Sequence, residues 1–281
     1  MLTVLEIIKR TTEFFEKREV ESARLNAELL IGHALGLKRM QLYLQFERPL
    51  AEAELEKIRP LVKRRGNREP LQYIVGSTEF SGIKLQVDSR ALIPRPETEQ
   101  LIELVKLHVT TPPAEVLDLG TGSGAIALAL ATAYPIARVT AVDLSAAALE
   151  LARENTVALG LEARVTLLVS DWYSAVPVGA QFDLIVANPP YLSEEETDAA
   201  QPEVKDHEPR MALAAAAHGT AALAHIIAES RARLRTGGVL ALETGLAQHA
   251  QLLALAHAAG FGRTSAHRDL TGRARFVLAF P

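Results

Sequence analysis

The sequence predicts an α/β protein: a mostly parallel seven-stranded sheet with helices on both faces, and a small N-terminal helical domain joined to it by a β-hairpin. Three observations predict it. From residue 115 onward, short β-branched runs alternate with helix-length stretches, the pattern of strands linked by crossover helices. Ahead of residue 70 the apolar residues recur at helical spacing and no strand-like run occurs. Between these regions, Phe80-Ser81-Gly82-Ile83 separates two short β-like runs, as a hairpin turn does.

The helical part comes first. Leu5, Ile8 and Phe15, then Ala23, Ala27, Leu30, Ile31 and Ala34, fall on helical faces. Ser22 stands where an N-cap starts the second helix, and Gly36 where that helix stops. Ala53 to Val62 is a further amphipathic helix that ends in the basic cluster Lys63-Arg64-Arg65-Gly66-Asn67-Arg68, read as a solvated helix end in preference to a partner-binding patch. In Pro94-Arg95-Pro96-Glu97-Thr98-Glu99 the two prolines stiffen the chain and set Pro96 near a helix N1 position. Strands are expected at Glu115–Leu119, Arg138–Val142, Val165–Val169, Phe182–Ala187, Val239–Glu243 and at two places near the C-terminus. Helices are expected at Gly124–Tyr134, Ala146–Leu159, Ala221–Leu234 and Ala247–Ala259. The domains divide as 1–72 (helical), 73–94 (hairpin linker) and 95–281 (α/β).

Composition removes several classes of function. The 281 residues are 48% hydrophobic and 23% charged, enough for a sizeable core in one large domain or two smaller ones. A net charge of −4 gives no basic field of the kind a general nucleic-acid binder carries. There is no cysteine, so disulfides, zinc-thiolate sites and thiol nucleophiles are excluded. Met1 to Glu21 lacks the apolar core of a signal peptide, and no run approaches the ~20 apolar residues of a membrane span. The alanine-rich Ala212–Ala217 before His218-Gly219 reads as a loop or buried turn. A cytoplasmic protein, monomeric, with no membrane and no direct nucleic-acid contact, is expected.

Two segments carry chemistry. Val116-Leu117-Asp118-Leu119-Gly120-Thr121-Gly122-Ser123-Gly124 is a strand running into a glycine-rich turn at a helix start, where backbone N–H groups are free and a ligand can come close. The next strand ends in Asp143, roughly 20 residues on, where a carboxylate can take ribose hydroxyls. That much suits a dinucleotide as well, since Gly120, Gly122 and Ala125 satisfy G-x-G-x-x-[G/A]. Asp118, just before the turn, repels a pyrophosphate and favours the cationic methionine part of S-adenosylmethionine. A third strand leads to Asp171, placed to bond an adenine amino group, and Trp172, placed to pack on the ring.

The second segment is Asn188-Pro189-Pro190-Tyr191, at the end of the fourth strand. The prolines lack N–H groups, so the carbonyls of Asn188 and Pro189 face outward without neighbouring donors. The Asn188 side-chain oxygen and the Pro189 carbonyl can accept both hydrogens of a planar NH2 group, with Tyr191 as an aromatic wall. Holding both N–H bonds aims the nitrogen lone pair at the methyl carbon, which is what a poor amide nucleophile needs. A nucleobase and a glutamine amide both fit this description. A non-catalytic scaffold does not suit the intact set of Asp118, Asp143 and Asn188.

These residues resemble the motifs of Class I methyltransferases with a Rossmann-like sheet that modify planar amino groups, among them DNA adenine-N6 and protein glutamine-N5 enzymes. The fuller pattern resembles the PrmC/HemK family of peptide chain release factor glutamine methyltransferases over essentially the whole chain. It rests on Pro70–Gly76, Leu92–Glu99, Leu117–Ile126, Asn188–Leu192, Glu208-Pro209-Arg210 with Ala212-Leu213, and Asp269-Leu270 with Gly272-Arg273. The resemblance implies S-adenosylmethionine bound through Gly120, Thr121, Gly122, Ser123, Gly124, Asp143, Trp172 and Asn188, with S-adenosylhomocysteine as product. It implies the glutamine of the Gly-Gly-Gln motif of class I release factors as acceptor, held by Asn188 to Tyr191. It also implies that the helical domain docks the release factor and that Pro94–Glu99 connects it to the site. The chain departs from the pattern at Ala214–Gly219, usually richer in glycine, and at Thr244, commonly aliphatic. Both departures are expected to bear on loop conformation and not on chemistry.

Overall fold

The computed structural model describes residues 2–214 and 219–281, so residues 215–218 of the alanine-rich stretch, expected to form a loop or buried turn, lie outside the described residues. The chain forms two compact units, Met1–Ser77 with Gln201–His207, and Thr78–Ala200 with Glu208–Pro281.

The first unit is helical. Helix α1 (Val4–Glu16) starts in a capping box, in which Thr3 and Glu6 satisfy each other's backbone N–H groups. Helix α2 (Ala23–Leu35) ends at Gly36 in the left-handed conformation, as its sequence predicts. Ser22 holds the N-cap position, but at φ 50° its side chain makes no cap bond; Asn26 Nδ2 instead donates to the carbonyls of Glu21 and Ser22. Short helices α3 (Arg39–Tyr43) and α5 (Leu71–Val75) flank the long α4 (Glu52–Gly66). Val4, Ile8, Ile31, Leu42, Leu50 and Ile58 form one core, and Phe15, Ala27, Leu30 and Ile74 a second.

Only part of the basic cluster is a solvated helix end: Lys63, Arg64 and Asn67 are exposed, but Arg65 and Arg68 turn to a partner. Helix α4 runs through Lys63-Arg64-Arg65, and Arg65 is buried, donating to Asn26 Oδ1 at 2.7 Å and to Glu203 at 2.8 Å. Arg68 grips the same Glu203 through two nitrogens, while Arg64 pairs with Glu69. Spacing within residues 63–68 holds no sign of this, because the partner lies 135 or more residues further along.

The second unit opens with the expected hairpin, β1 (Ser77–Phe80) and β2 (Ile83–Gln86), turning through Ser81 and Gly82, both at positive φ. Helix α6 (Pro96–His108) follows, with Pro96 at its first turn as predicted. The remaining elements alternate: β3 (Glu115–Leu119), α7 (Ala125–Ala133), β4 (Arg138–Asp143), α8 (Ala146–Ala158), β5 (Val165–Val169) and β6 (Phe182–Ala187). After the short helices α9 (Glu194–Asp198) and α10 (Pro202–Lys205) come α11 (Ala221–Arg233), β7 (Leu234–Glu243), α12 (His249–Ala258), β8 (Arg263–Arg268) and β9 (Ala274–Phe280). Short helix α10 belongs to the first unit.

The strands form one seven-stranded sheet in the order β5-β4-β3-β6-β7-β9-β8, parallel from β5 to β7 and antiparallel around β9. Alternate residues point to opposite faces. Val116, Leu184, Val186, Val239 and Ala241 meet α6 and α7 on one face, and Leu117, Leu119, Ile185, Leu240 and Leu242 meet α11 and α12 on the other. The chain leaves β3 toward β4 on one side and returns to β6 on the other. That reversal opens a crevice at the carboxyl ends of β3 and β6, the place where doubly wound sheets bind ligands. Among the described residues, no helix is long and apolar enough to cross a membrane.

Candidate active site

Register decides which residues share the carboxyl edge. Leu119 pairs with Val142 on one side and Ala187 on the other, and Ala187 pairs with Leu242. One step further along each strand, Asp143, Gly120, Asn188 and Glu243 therefore stand in a row. Asp143 and Glu243 end their strands, and Gly120 and Asn188 directly follow theirs; the pairing is set by buried apolar side chains, so a slip of one residue would turn those side chains to the wrong face.

The glycine turn is built on this edge. Gly120 and Thr121 both donate their N–H groups to the Val142 carbonyl at 2.9 Å, which bends the chain back toward β4. Gly120 has φ +73°, and a Cβ there would lie 3.5 Å from the Trp172 ring, so a side chain would close the space in front of the turn. Gly122 N–H donates to Asp143 Oδ2 at 2.8 Å, and Ser145 N–H to Asp143 Oδ1 at 2.9 Å. Burial raises the Asp143 carboxyl, and these backbone bonds act against that rise.

Asp118 lies beneath the turn and has no exposed surface. Its Oδ2 accepts from Thr121 Oγ1 at 2.6 Å and from Ala127 N–H at 3.1 Å, while Oδ1 is buried without a hydrogen-bond partner. Burial is the main reason its carboxyl is pushed up to about 7; the two hydrogen bonds oppose the rise, and the nearby Asp143 adds to it. Ser123 is buried as well, and its carbonyl accepts from Asn155 Nδ2, which also binds the Gln86 carbonyl and so ties hairpin, turn and α8 together.

A cleft of about 800 Å³, open mouth included, is lined by Gly120, Gly122, Asp143, Asp171, Trp172, Asn188 and Pro190 among the residues singled out in the sequence. Arg90, Leu92, Leu144, Ser145, Ser170, Pro209 and Met211 complete much of its wall. Trp172 holds φ +46°, a conformation that costs a bulky residue about 1–3 kcal/mol and marks a place where the surroundings dictate the backbone. Ser170 Oγ, bonded to the Trp172 carbonyl at 2.8 Å, helps to hold it there. Asp118, Thr121, Ser123, Gly124, Pro189 and Tyr191 do not line the cleft.

Behind Asn188 runs a buried chain of hydrogen bonds that the sequence reading did not contain. Asn188 Nδ2 donates to Thr98 Oγ1 at 3.1 Å, and Thr98 Oγ1 donates to Glu243 Oε2 at 2.7 Å. The Tyr191 hydroxyl donates to Glu243 Oε1 at 3.0 Å and accepts from Arg275 Nη1 at 3.3 Å. Burial raises the Glu243 carboxyl, against the pull of the Thr98 and Tyr191 hydroxyls and the Arg275 charge. Arg95 Nη2 reaches both oxygens of the buried Glu208, at 2.8 and 2.7 Å, and so joins two of the sequence motifs. The two departures noted in the sequence also reach this region. Thr244 pairs through its backbone with Arg275, and Gly219, at φ +80°, lies so close that a Cβ there would stand 2.0 Å from the Tyr191 carbonyl oxygen.

Residues 6–76 match the family described as PrmC N-terminal domain, and residues 97–206 match the methyltransferase small domain. A release factor glutamine methyltransferase of Geobacter sulfurreducens is 41% identical over 276 residues, 98% of this chain and 95% of that protein. One from Rhodopirellula baltica is 43% identical over 246 residues, 86% of this chain and 83% of the relative. The chain belongs to the release factor glutamine methyltransferase family. The family's methyl donor is S-adenosylmethionine. Among solved structures, the 16S rRNA N2 G1207 methyltransferase of T. thermophilus aligns with a TM-score of 0.53 at 23% identity, covering 73% of this chain and 49% of that one. The hMettl16 catalytic domain aligns at 0.59 and 16% identity, covering 81% and 79%. At such identities the likeness is one of fold, a Class I methyltransferase sheet.

Thr98 and Glu243 were out of reach of motif reading. Thr98 sits inside the Pro94–Glu99 motif, yet nothing in its spacing links it to Asn188, 90 residues away. Glu243 is the last residue of an apolar strand, where a single carboxylate reads as a solvent-facing end. Its face could have been counted, since it shares parity with Val239 and Ala241 of the buried helical side.

Proposed function

We propose that the protein transfers a methyl group from S-adenosylmethionine to the side-chain amide nitrogen, N5, of the glutamine in the Gly-Gly-Gln motif of class I peptide chain release factors, and thereby tunes translation termination. The observation that carries this reading is the Asn188 amide. Its nitrogen is occupied by Thr98, which leaves Oδ1 as the group able to accept a hydrogen bond beside the cleft.

The residues present fit the donor. An unpartnered buried carboxylate oxygen on Asp118 lies under a glycine turn whose space a side chain would fill, and a cleft of suitable size opens beside it. In this reading the backbone of Gly120, Thr121, Gly122, Ser123 and Gly124 embraces the methionine part, with Asp118 supplying negative potential from below. Asp143 takes ribose hydroxyls with the lone pairs that Gly122 and Ser145 leave free, and Asp171 and Trp172 flank the adenine. S-adenosylmethionine, when bound, supplies a methyl group on a positively charged sulfur.

The rest of the work falls to the chain. Asn188 Oδ1 and the Pro189 carbonyl accept the two hydrogens of the glutamine NH2, which turns the nitrogen lone pair toward the cleft. They also stabilise the positive charge that grows on nitrogen. Pro190 and Tyr191 keep this segment stiff, with the Tyr191 hydroxyl anchored on Glu243. No strong base is required, since a methylated amide nitrogen is acidic enough to lose its proton to water. The helical residues 1–72 dock the release factor, 73–94 link, and 95–281 catalyse. We propose further that the enzyme works in the cytoplasm as a monomer and without nucleic acid, in keeping with its net charge of −4.

The test is transfer of label from S-adenosylmethionine carrying a labelled methyl group to purified release factor, DNA or RNA. Label on release factor alone is expected. Label on nucleic acid and none on release factor would refute the proposal.

A further inference from the structure

Asn188 serves an NH2 acceptor only with its oxygen forward; turned over, its own NH2 would meet the substrate's NH2. The two ends of an amide have nearly the same shape, so packing alone discriminates poorly between them. Discrimination has to come from hydrogen-bond polarity behind the side chain, and the buried chain on Glu243 has a definite polarity.

A hydroxyl carries one proton. Thr98 Oγ1 stands between Asn188 Nδ2 at 3.1 Å and Glu243 Oε2 at 2.7 Å. The Thr98 and Tyr191 hydroxyls and the Arg275 charge all favour the ionised form of Glu243 against its burial, and a carboxylate only accepts, so the Thr98 proton goes to Glu243. Thr98 then has lone pairs alone to offer Asn188, and only the NH2 end of the amide can use them. From the other side the Tyr191 hydroxyl gives its proton to Oε1 at 3.0 Å and receives one from Arg275 at 3.3 Å. All donors point inward to one carboxylate that has 1% of its surface exposed. The parts come from four elements: Thr98 from α6, Asn188 and Tyr191 from the end of β6, Glu243 from β7 and Arg275 from β9.

We infer that Glu243 is a positioning residue which, through the Thr98 hydroxyl, sets the end of the Asn188 amide that faces the acceptor and, through the Tyr191 hydroxyl, holds the Asn188–Tyr191 segment. The inference rests on the acceptor reading proposed above.

The test uses Thr98→Val, which keeps the shape and removes the relay, and Thr98→Ser, which keeps the relay. For Thr98→Val, kcat on release factor is expected to fall on the order of 10- to 100-fold, the cost of an unpaired buried group. The release-factor KM and the calorimetric dissociation constant for S-adenosylmethionine are expected to stay within about two-fold, well inside that factor. Thr98→Ser is expected to recover most of the rate. The second readout needs no acceptor. The chain has four asparagines, Asn26, Asn67, Asn155 and Asn188. In protein labelled with 15N-asparagine, the Asn188 side-chain NH2 signal, assigned by its loss in Asn188→Asp, should move in Thr98→Val and stay in Thr98→Ser. An unmoved signal with unchanged kcat in Thr98→Val overturns the inference, as does a Thr98→Ser variant as slow as Thr98→Val. If the wild-type protein leaves release factor unmethylated, the acceptor reading fails, and the Asn188 signal still decides whether Thr98 holds the amide.

Discussion

Among single residues, Asp118 carries the sharpest conflict between stability and function. A carboxylate without exposed surface, one oxygen unpartnered, is a poor choice for a stable core. Its folded-state value of about 7 lies well above the 3.8 of a free aspartate side chain. Folding therefore shifts the group toward its protonated form, so near pH 7 both forms are present and a bound cation favours the ionised one. The stability Asp118 contributes is complete below about pH 4 and is lost as pH rises through 7, at most on the order of 4 kcal/mol. Asp118→Asn is expected to raise the melting temperature at pH 8 and to flatten the dependence of stability on pH between 4 and 7. The same change should weaken binding of S-adenosylmethionine more than that of S-adenosylhomocysteine, because only the former carries the sulfonium charge. Thermal melts and calorimetry across pH check both; a variant less stable at pH 8 would contradict the assignment. Asp118 was legible in the sequence as an acid before a glycine turn. Its depth was not, since that depends on α7 lying over β3. Glu243 was illegible for a related reason: its partners come from three other elements, and only the register of β6 on β7 brings it beside Asn188.

Elements carry the lesson in two directions. Strands β3 to β6 and the helices between them were readable to within a residue or two, because each buries a periodic apolar face that local sequence displays. The pairing of Arg65 and Arg68 with Glu203 at the end of α4 was illegible, because charge runs say nothing about distant partners. Burial works against the Glu203 charge, yet hydrogen bonds from Arg68 and Arg65 hold its carboxyl down at about 2, below the 4.5 of a free glutamate side chain. A depressed carboxylate contributes stability that is present above its unfolded value and lost as pH falls toward the folded one. The loss should thus come between about pH 4.5 and 2, amounting to roughly 3 kcal/mol. Glu203→Ala leaves the buried Arg65 without its carboxylate and is expected to destabilise the protein by roughly 3 kcal/mol or more at pH 7. Denaturant unfolding of wild type and variant at pH 7 and pH 3 measures this. Equal stability at pH 7 would show that the ion pair contributes nothing.

For the whole molecule, the parallel sheet gathers onto one edge residues that are far apart in sequence: Gly120, Asp143 and Asn188 at the cleft, and Glu243 behind Asn188. The arrangement follows from topology, since strand ends at a reversal of winding direction are where loops from separate strands converge. The sheet and the glycine turn were legible in the sequence because they are local patterns; the choice of glutamine over nucleobase was not, because Asn188–Tyr191 fits both flat acceptors. Family membership over nearly the whole chain supports glutamine. The most direct measurement is peptide mass spectrometry of a class I release factor incubated with S-adenosylmethionine and either the wild-type protein or Asn188→Ala. The account predicts one methyl group on the glutamine of the Gly-Gly-Gln motif with the wild-type protein. With Asn188→Ala it predicts a rate lower by roughly 100-fold or more, the scale of losing one preorganised polar group at a reacting centre, while S-adenosylmethionine still binds. A methyl group on any other residue, or full turnover by Asn188→Ala, would contradict it.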